Sequence, residues 1–234
     1  MNRVKFMLAL SLFSAALGCG ASRPAQVVVV FVDVSGSVKD FAAYRGAWAK
    51  ITAALQPGDR LVLAQISDHT YTAFHPVVDS EIPRFSYWRD NRLVQETRVK
   101  ALRERFAETL DRSLSGSRSA RTDIFGAFLA SEKVFKGDWR RGTLVLLSDM
   151  LEDDEYRFEN AHLSDGFTRE VIAKTSRERR LPDLAGATVY VAGASAKNMR
   201  KACEVQNFWL AYVKAANGRL VPEHYGPALV NFQE

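Results

Sequence analysis

Residues 33–37 read Asp-Val-Ser-Gly-Ser, directly after an unbroken apolar run at residues 27–32. A β-branched run of this kind predicts a strand buried on both faces, so Asp33 falls where that strand leaves the core. Gly36 permits a turn that a side chain would obstruct. Asp33, Ser35 and Ser37 can then direct their oxygens into one small space, and hard oxygen donors suit Mg²⁺, Mn²⁺ or Ca²⁺. The competing reading is an Asp cap and a Ser-rich turn that open the next helix. Two later places bear on the choice. Thr122 lies in a loop and Asp123 opens a helix behind it, with Ile124, Phe125, Phe128 and Leu129 on its apolar side. Asp149 follows the apolar strand at 143–147. Asp33 and Asp149 thus end separate strands, and Thr122 stands between them. More than a hundred residues part the first from the last, which a shared site explains and a local turn does not.

The elements that must position these residues alternate. A helix is predicted over 39–55, with Phe41, Tyr44, Trp48, Ile51 and Leu55 at spacings of three and four. Pro57-Gly58 stops it. A second strand follows at 61–66, then an edge segment at 71–78 broken by Pro76. An aromatic loop covers 81–91. Further helices are predicted over 92–110, from Asp123, over 166–180 and over 198–216. Ser113 to Ser119 is expected to be loop. Another strand is expected at 187–191, and residues 219–234 either add a last strand or wrap the domain. Alternation of this kind implies a mostly parallel sheet covered on both faces, with its site at the carboxyl ends of the strands.

Asp-x-Ser-x-Ser at the end of an apolar first strand, with Thr122 and Asp149 further on, resembles the metal-ion-dependent adhesion site of von Willebrand factor type A domains. The resemblance implies a three-layer, doubly wound α/β fold with a central, mostly parallel sheet, one antiparallel edge strand and helices on both faces. It implies a divalent ion, Mg²⁺ first and Mn²⁺ or Ca²⁺ as alternatives, at Asp33, Ser35, Ser37, Thr122 and Asp149. Ser35 and Ser37 would touch the ion, Thr122 would join when ligand is bound, and Asp33 and Asp149 would hold coordinating waters. The implied role is capture of a partner protein that offers an Asp or Glu. One departure is visible: the commonest family form has Gly shortly after the last Asp, where this chain has Met150 and Leu151.

Residues 1–18 look like a signal peptide: Arg3 and Lys5, an apolar run, then small residues before Cys19. The run is shorter than the roughly 20 residues of a comfortable transmembrane helix. Small residues beside a Cys resemble a bacterial lipoprotein box, which implies cleavage before Cys19, lipid on its thiol and a tether over 19–26. The domain proper is then 27–218, with a C-terminal extension at 219–234. The implied location is the bacterial cell envelope, on the outer membrane facing the periplasm. With Cys19 used as anchor, Cys203 is the only other thiol, so no internal disulfide forms; an inert, buried Cys203 is expected.

The net charge is +5, spread over arginines close to acids, with no lysine-rich tail and no nucleic-acid module. The four acids at 152–155 read first as a solvated loop; the alternative is that Asp153 or Asp154 adds charge to the site or forms a second cation site. His69, at the end of the second strand, reads as a loop or core residue before a metal ligand. A metal-dependent hydrolase is the rival class, but no G-x-S-x-G elbow exists and no His pairs obviously with Ser35 or Ser37. An envelope structural protein that uses no metal is the third reading. The protein is expected not to be an enzyme.

Overall fold

The computed structural model describes residues 23–36, 41–84, 91–116 and 119–233. Cys19, Ser37 and most of the aromatic loop lie outside these stretches. In chain order the elements are β1 (Gln26–Asp33), α1 (Ala42–Ala54), β2 (Arg60–Ile66), β3 (Val78–Glu81), α2 (Arg92–Ser115), α3 (Ile124–Lys136), β4 (Arg141–Leu147), α4 (Asp165–Arg177), β5 (Thr188–Ala192), α5 (Met199–Ala215) and β6 (Tyr225–Gly226). The sheet order is β3-β2-β1-β4-β5-β6. Only β3 runs antiparallel. This is the three-layer, doubly wound α/β arrangement with an antiparallel edge. Every one of these elements lies beyond residue 22, so the chain from Arg23 on carries the whole described fold.

β1 is central and buried along its full length. Its alternation divides the core: Val27, Val29 and Phe31 pack with α3, α4 and α5, while Val28, Val30 and Val32 pack with α1 and α2. Each fully buried valine contributes roughly 1.5–3 kcal/mol relative to exposure. Both faces are therefore needed to hold the strand that delivers Asp33. Among the described residues no helix is long and apolar enough to cross a membrane.

Several boundaries differ from expectation. The edge strand begins at Val78, after residues 68–73 have formed turns. Pro76 has no N–H to give, and the first amide beyond it, Val77, donates to Leu63 O at 2.7 Å. α2 continues through Ser113 and Ser115, whose hydroxyls bond back to the Thr109 and Asp111 carbonyls and so do not draw the backbone amides into a turn. Cys203 is exposed, not buried. The inward side of α5 is Val205, Phe208, Trp209, Tyr212 and Val213, and a residue two positions before Val205 points away from it. The C-terminal segment does both things foreseen for it: β6 pairs with β5, and Leu229 is buried on the α1 side.

Candidate functional site

β1 and β4 are neighbours, yet β1 continues through α1 on one face to β2, and β4 through α4 on the other face to β5. The chain therefore diverges at their carboxyl ends, where α/β sheets open a crevice. Asp33 ends β1 there. Its Oδ1 accepts from the Ser35 amide at 2.8 Å and its Oδ2 from Ser148 Oγ at 2.8 Å. Ser148 Oγ in turn accepts from the Met150 amide at 2.9 Å. Asp33 is 0% exposed. Burial pushes its carboxyl above the ordinary range, against the Ser35 and Ser148 bonds that favour the charge. Among the described residues no Lys or Arg pairs with it.

The other two segments are fastened to the same place. Ser35 forms a backbone bridge with Ser119, just ahead of the Thr122 loop. That loop is tied on both sides: the Asp123 amide donates to Ser67 O at 2.9 Å, and the Asp153 amide to Thr122 O at 3.1 Å. Asp123 caps α3 through the Gly126 amide, so capping holds the loop that presents Thr122. Asp149 Oδ1 accepts from the Leu151 amide at 2.9 Å. Ser35, Thr122 and Asp149 line one cleft of about 680 Å³, with Glu152, Ser195 and Lys197 on its walls. Asp33 stands behind Ser35. Four of the five expected site residues thus meet here, and Ser37 lies outside the described residues. The set suits a hard divalent cation: hydroxyl and carboxylate oxygens, with a buried carboxyl behind them.

Met150, directly after Asp149, makes its turn without a glycine. Its φ is 65°, a conformation that costs a non-glycine residue on the order of 1–2 kcal/mol. The Met150 side chain is completely buried, its amide bonds Ser148 Oγ, and its carbonyl accepts from Trp209 Nε1 at 3.0 Å. Burial and these two bonds offset the strain and fix the turn that carries Asp149.

Sequence reasoning missed three participants. Ser148 links Asp33 to the β4 turn; its only signal was its place beside Asp149. Tyr44, on the buried side of α1, has a hydroxyl with no hydrogen-bond partner among the described residues. Burial first, then the charges of Asp33 and Asp149, push that phenol up. Gly193 (φ 101°) makes room for it, since a Cβ there would lie 2.4 Å from the Tyr44 ring. Glu152 is the third. It belongs to the acidic run expected to be solvated, yet it is 1% exposed. It accepts from the Ile124 amide at 2.7 Å and from those of Asp154 and Glu155. Burial pushes its carboxyl up to about 8, with Asp123 adding to the effect. Ligand oxygens of Asp123, Glu152 and Asp154 lie within 4.8 Å of one another, so this cluster could coordinate a divalent cation; nothing in it selects which one. Asp153 is exposed, and Glu155 is held by Lys174 and Arg180. His69 sits exposed in a turn.

No protein-family model matches the chain, and a search of curated proteins finds no match. Among solved structures it is similar to the pilus adhesin SpaC from Lactobacillus rhamnosus GG in an open conformation, at 12% identity and TM-score 0.47, over 87% of this chain and 28% of that one. It is also similar to a von Willebrand factor type A protein from Catenulispora acidiphila, at 14% identity and TM-score 0.41, over 82% of this chain and 43% of that one. The human COPII-coat protein Sec24c matches at 10% identity and TM-score 0.37, over 83% and 29%. The chain spans less than half of each of these structures, and what those whole proteins bind or assemble with is said of them alone.

Proposed function

We propose that the protein is a divalent-cation-dependent protein-binding module, tethered at the bacterial cell envelope through lipid on Cys19, and not an enzyme. The observation that carries this reading is the meeting of three distant segments, bearing Ser35, Thr122 and Asp149, in one cleft with Asp33 buried behind them. In this reading Ser35, Ser37 and Thr122 give neutral hydroxyls to Mg²⁺, with Mn²⁺ or Ca²⁺ as substitutes, and Asp33 and Asp149 hold its waters. An ion bound mainly by hydroxyls and water keeps much of its positive charge. It can then take a carboxylate from an envelope protein's Asp or Glu at an open position. Among the residues lining the cleft there is no histidine to serve as base for a serine nucleophile, which favours binding over hydrolysis.

Calorimetry on the chain from Arg23 on tests the ion: one Mg²⁺ or Mn²⁺ is expected to bind at the Asp33, Ser35, Ser37, Thr122, Asp149 site, and the binding is expected to be lost in Asp33→Ala. A pull-down from envelope extract, run with Mg²⁺ and again with chelator, tests capture. Thr122→Ala is expected to weaken partner capture more than resting ion binding. A folded domain that binds no divalent ion, or partners that all stay bound in chelator, would overturn the reading. For the intact protein, mass spectrometry is expected to find lipid on an N-terminal Cys19.

A further inference from the structure

The opposite pole of the sheet carries a second recess, of about 200 Å³, at the amino ends of β1, β4 and β5. Its floor interrupts an apolar face. On the α1 side of the sheet β1 presents Val28, Val30 and Val32, β4 presents Val145 and Leu147, and β5 presents Tyr190 and Ala192. At the amino ends the same face carries Gln26, Thr143 and Thr188 instead, all buried. Gln26 is 6% exposed. Its Oε1 accepts from Thr143 Oγ1 at 3.0 Å, and its Nε2 has no partner among the described residues. Both side-chain polar atoms of Gln233, on the recess wall, are also without partners among the described residues. A buried donor left unpaired costs about 1–3 kcal/mol, and apolar residues would have filled this floor without that cost.

Three arginines, Arg23, Arg141 and Arg219, line the same recess. Asp59 neutralises Arg23 at 2.6 Å. Arg141 and Arg219 form no ion pair among the described residues, and Arg219 reaches only Thr188 Oγ1 at 3.5 Å. Two uncompensated guanidinium groups over orphan amide donors match the needs of an oxyanion, which accepts several charge-assisted bonds at once. We infer that this recess binds a phosphate group. Its source is either the headgroup of an anionic phospholipid or free phosphate. In the tethered form proposed above, the chain from Cys19 to Arg23 spans at most about 14 Å, which brings the recess to the bilayer surface with the cleft at the far pole. The inference itself does not depend on that tether or on the cation.

The test uses the chain from Arg23 on, in chelator, at constant ionic strength, titrated with inorganic phosphate by calorimetry. Saturable binding is expected, weakened about tenfold or more by Arg141→Gln with Arg219→Gln. Arg169→Gln with Arg177→Gln, the same charge change on the exposed side of α4, is expected to change it by less than about twofold. Flotation with phosphatidylglycerol or phosphatidylcholine vesicles identifies the source. Retention on the anionic vesicles alone, lost in the Arg141/Arg219 variant, assigns a lipid headgroup. Phosphate binding without vesicle retention assigns free phosphate. No saturable phosphate binding, or equal binding by both double variants, overturns the inference and leaves a water-filled polar recess.

Discussion

Asp33 and Asp138 are both nearly inaccessible carboxylates at opposite poles of one sheet, and their surroundings drive them in opposite directions. Burial raises Asp138 too, but the Arg140 amide and the Arg60 and Arg140 guanidinium groups outweigh it and hold the carboxyl below its ordinary range. Arg60 and Arg140 each reach Asp138 Oδ2 at 3.1 Å. Asp33 has only an amide and hydroxyls, and burial wins. At one pole the fold itself pairs the buried carboxylate with two arginines. At the other, a buried carboxyl has no cationic partner among the described residues. A carboxylate is informative about function when its folded surroundings have not already neutralised it.

The paired variants Asp33→Asn and Asp138→Asn test this contrast with the largest expected effects. Asn at 33 still accepts from the Ser35 amide and can donate to Ser148. Asp33→Asn should therefore leave metal-free stability unchanged or raised at pH 7, while Mg²⁺ affinity falls about 10–100-fold. Asp138→Asn should leave Mg²⁺ affinity alone and lower stability by about 1–2 kcal/mol, because Arg60 and Arg140 lose one anion but keep Asp79 and Glu81. Urea denaturation and calorimetry read both. Equal destabilisation by the two variants would break the contrast.

Glu152 sharpens it within the acidic pole. Its folded carboxyl, near 8, lies above the ordinary 4.5, so between those values the folded state holds more protons than the unfolded one. Stability from this group is then fully present at low pH and is lost as pH rises toward 8. Glu152→Gln should flatten the decline in metal-free stability between pH 5 and 8, a change on the order of a few kcal/mol at the upper end. Thermal melts across pH measure it. In wild type, a divalent cation held by Asp123, Glu152 and Asp154 should restore the stability lost at pH 8. An unchanged pH profile in the Gln variant would show that Glu152 is not the titrating group.

Much of this was legible because it is periodic or local. The run at 27–32 declared a strand buried on both faces, and Thr122-Asp123 declared a capped loop; both lie where period and cap placed them. What was not legible depends on tertiary closure. The acids at 152–155 look alike in sequence, and only the return of the Glu152 side chain to the Ile124 amide separates it from exposed Asp153. Met150 gave no hint of a positive φ, because burial and Trp209 supply from outside the turn what a glycine would have supplied within it. Residue type puts Cys203 inside, against the phase of its own helix. Tyr44 counted as one more apolar residue on α1, since nothing local shows where a phenol's oxygen ends.

That oxygen carries the smallest expected effect. Tyr44 and Tyr212 both bury a hydroxyl without a partner, on opposite faces of the sheet. Asp33 and Asp149 act on the Tyr44 phenol, whereas Tyr156, Glu152 and Asp123 raise that of Tyr212, in each case after burial. An unpaired buried hydroxyl costs about 1–3 kcal/mol, so Phe at either position should leave metal-free stability equal or raise it by up to about 1 kcal/mol. The ion separates them. If the cleft takes Mg²⁺ with its waters, the Tyr44 hydroxyl gains a partner among those waters or at a carboxylate drawn toward the ion. Tyr44→Phe should then reduce Mg²⁺ affinity by about three- to tenfold, the worth of one hydrogen bond. Tyr212→Phe, on the other face, should leave affinity at the cleft unchanged. Calorimetry on both variants, beside their melts without metal, decides. Equal affinities for wild type and Tyr44→Phe would show that this hydroxyl stays unpaired when the ion is bound. Gly193 would then serve only to seat the ring.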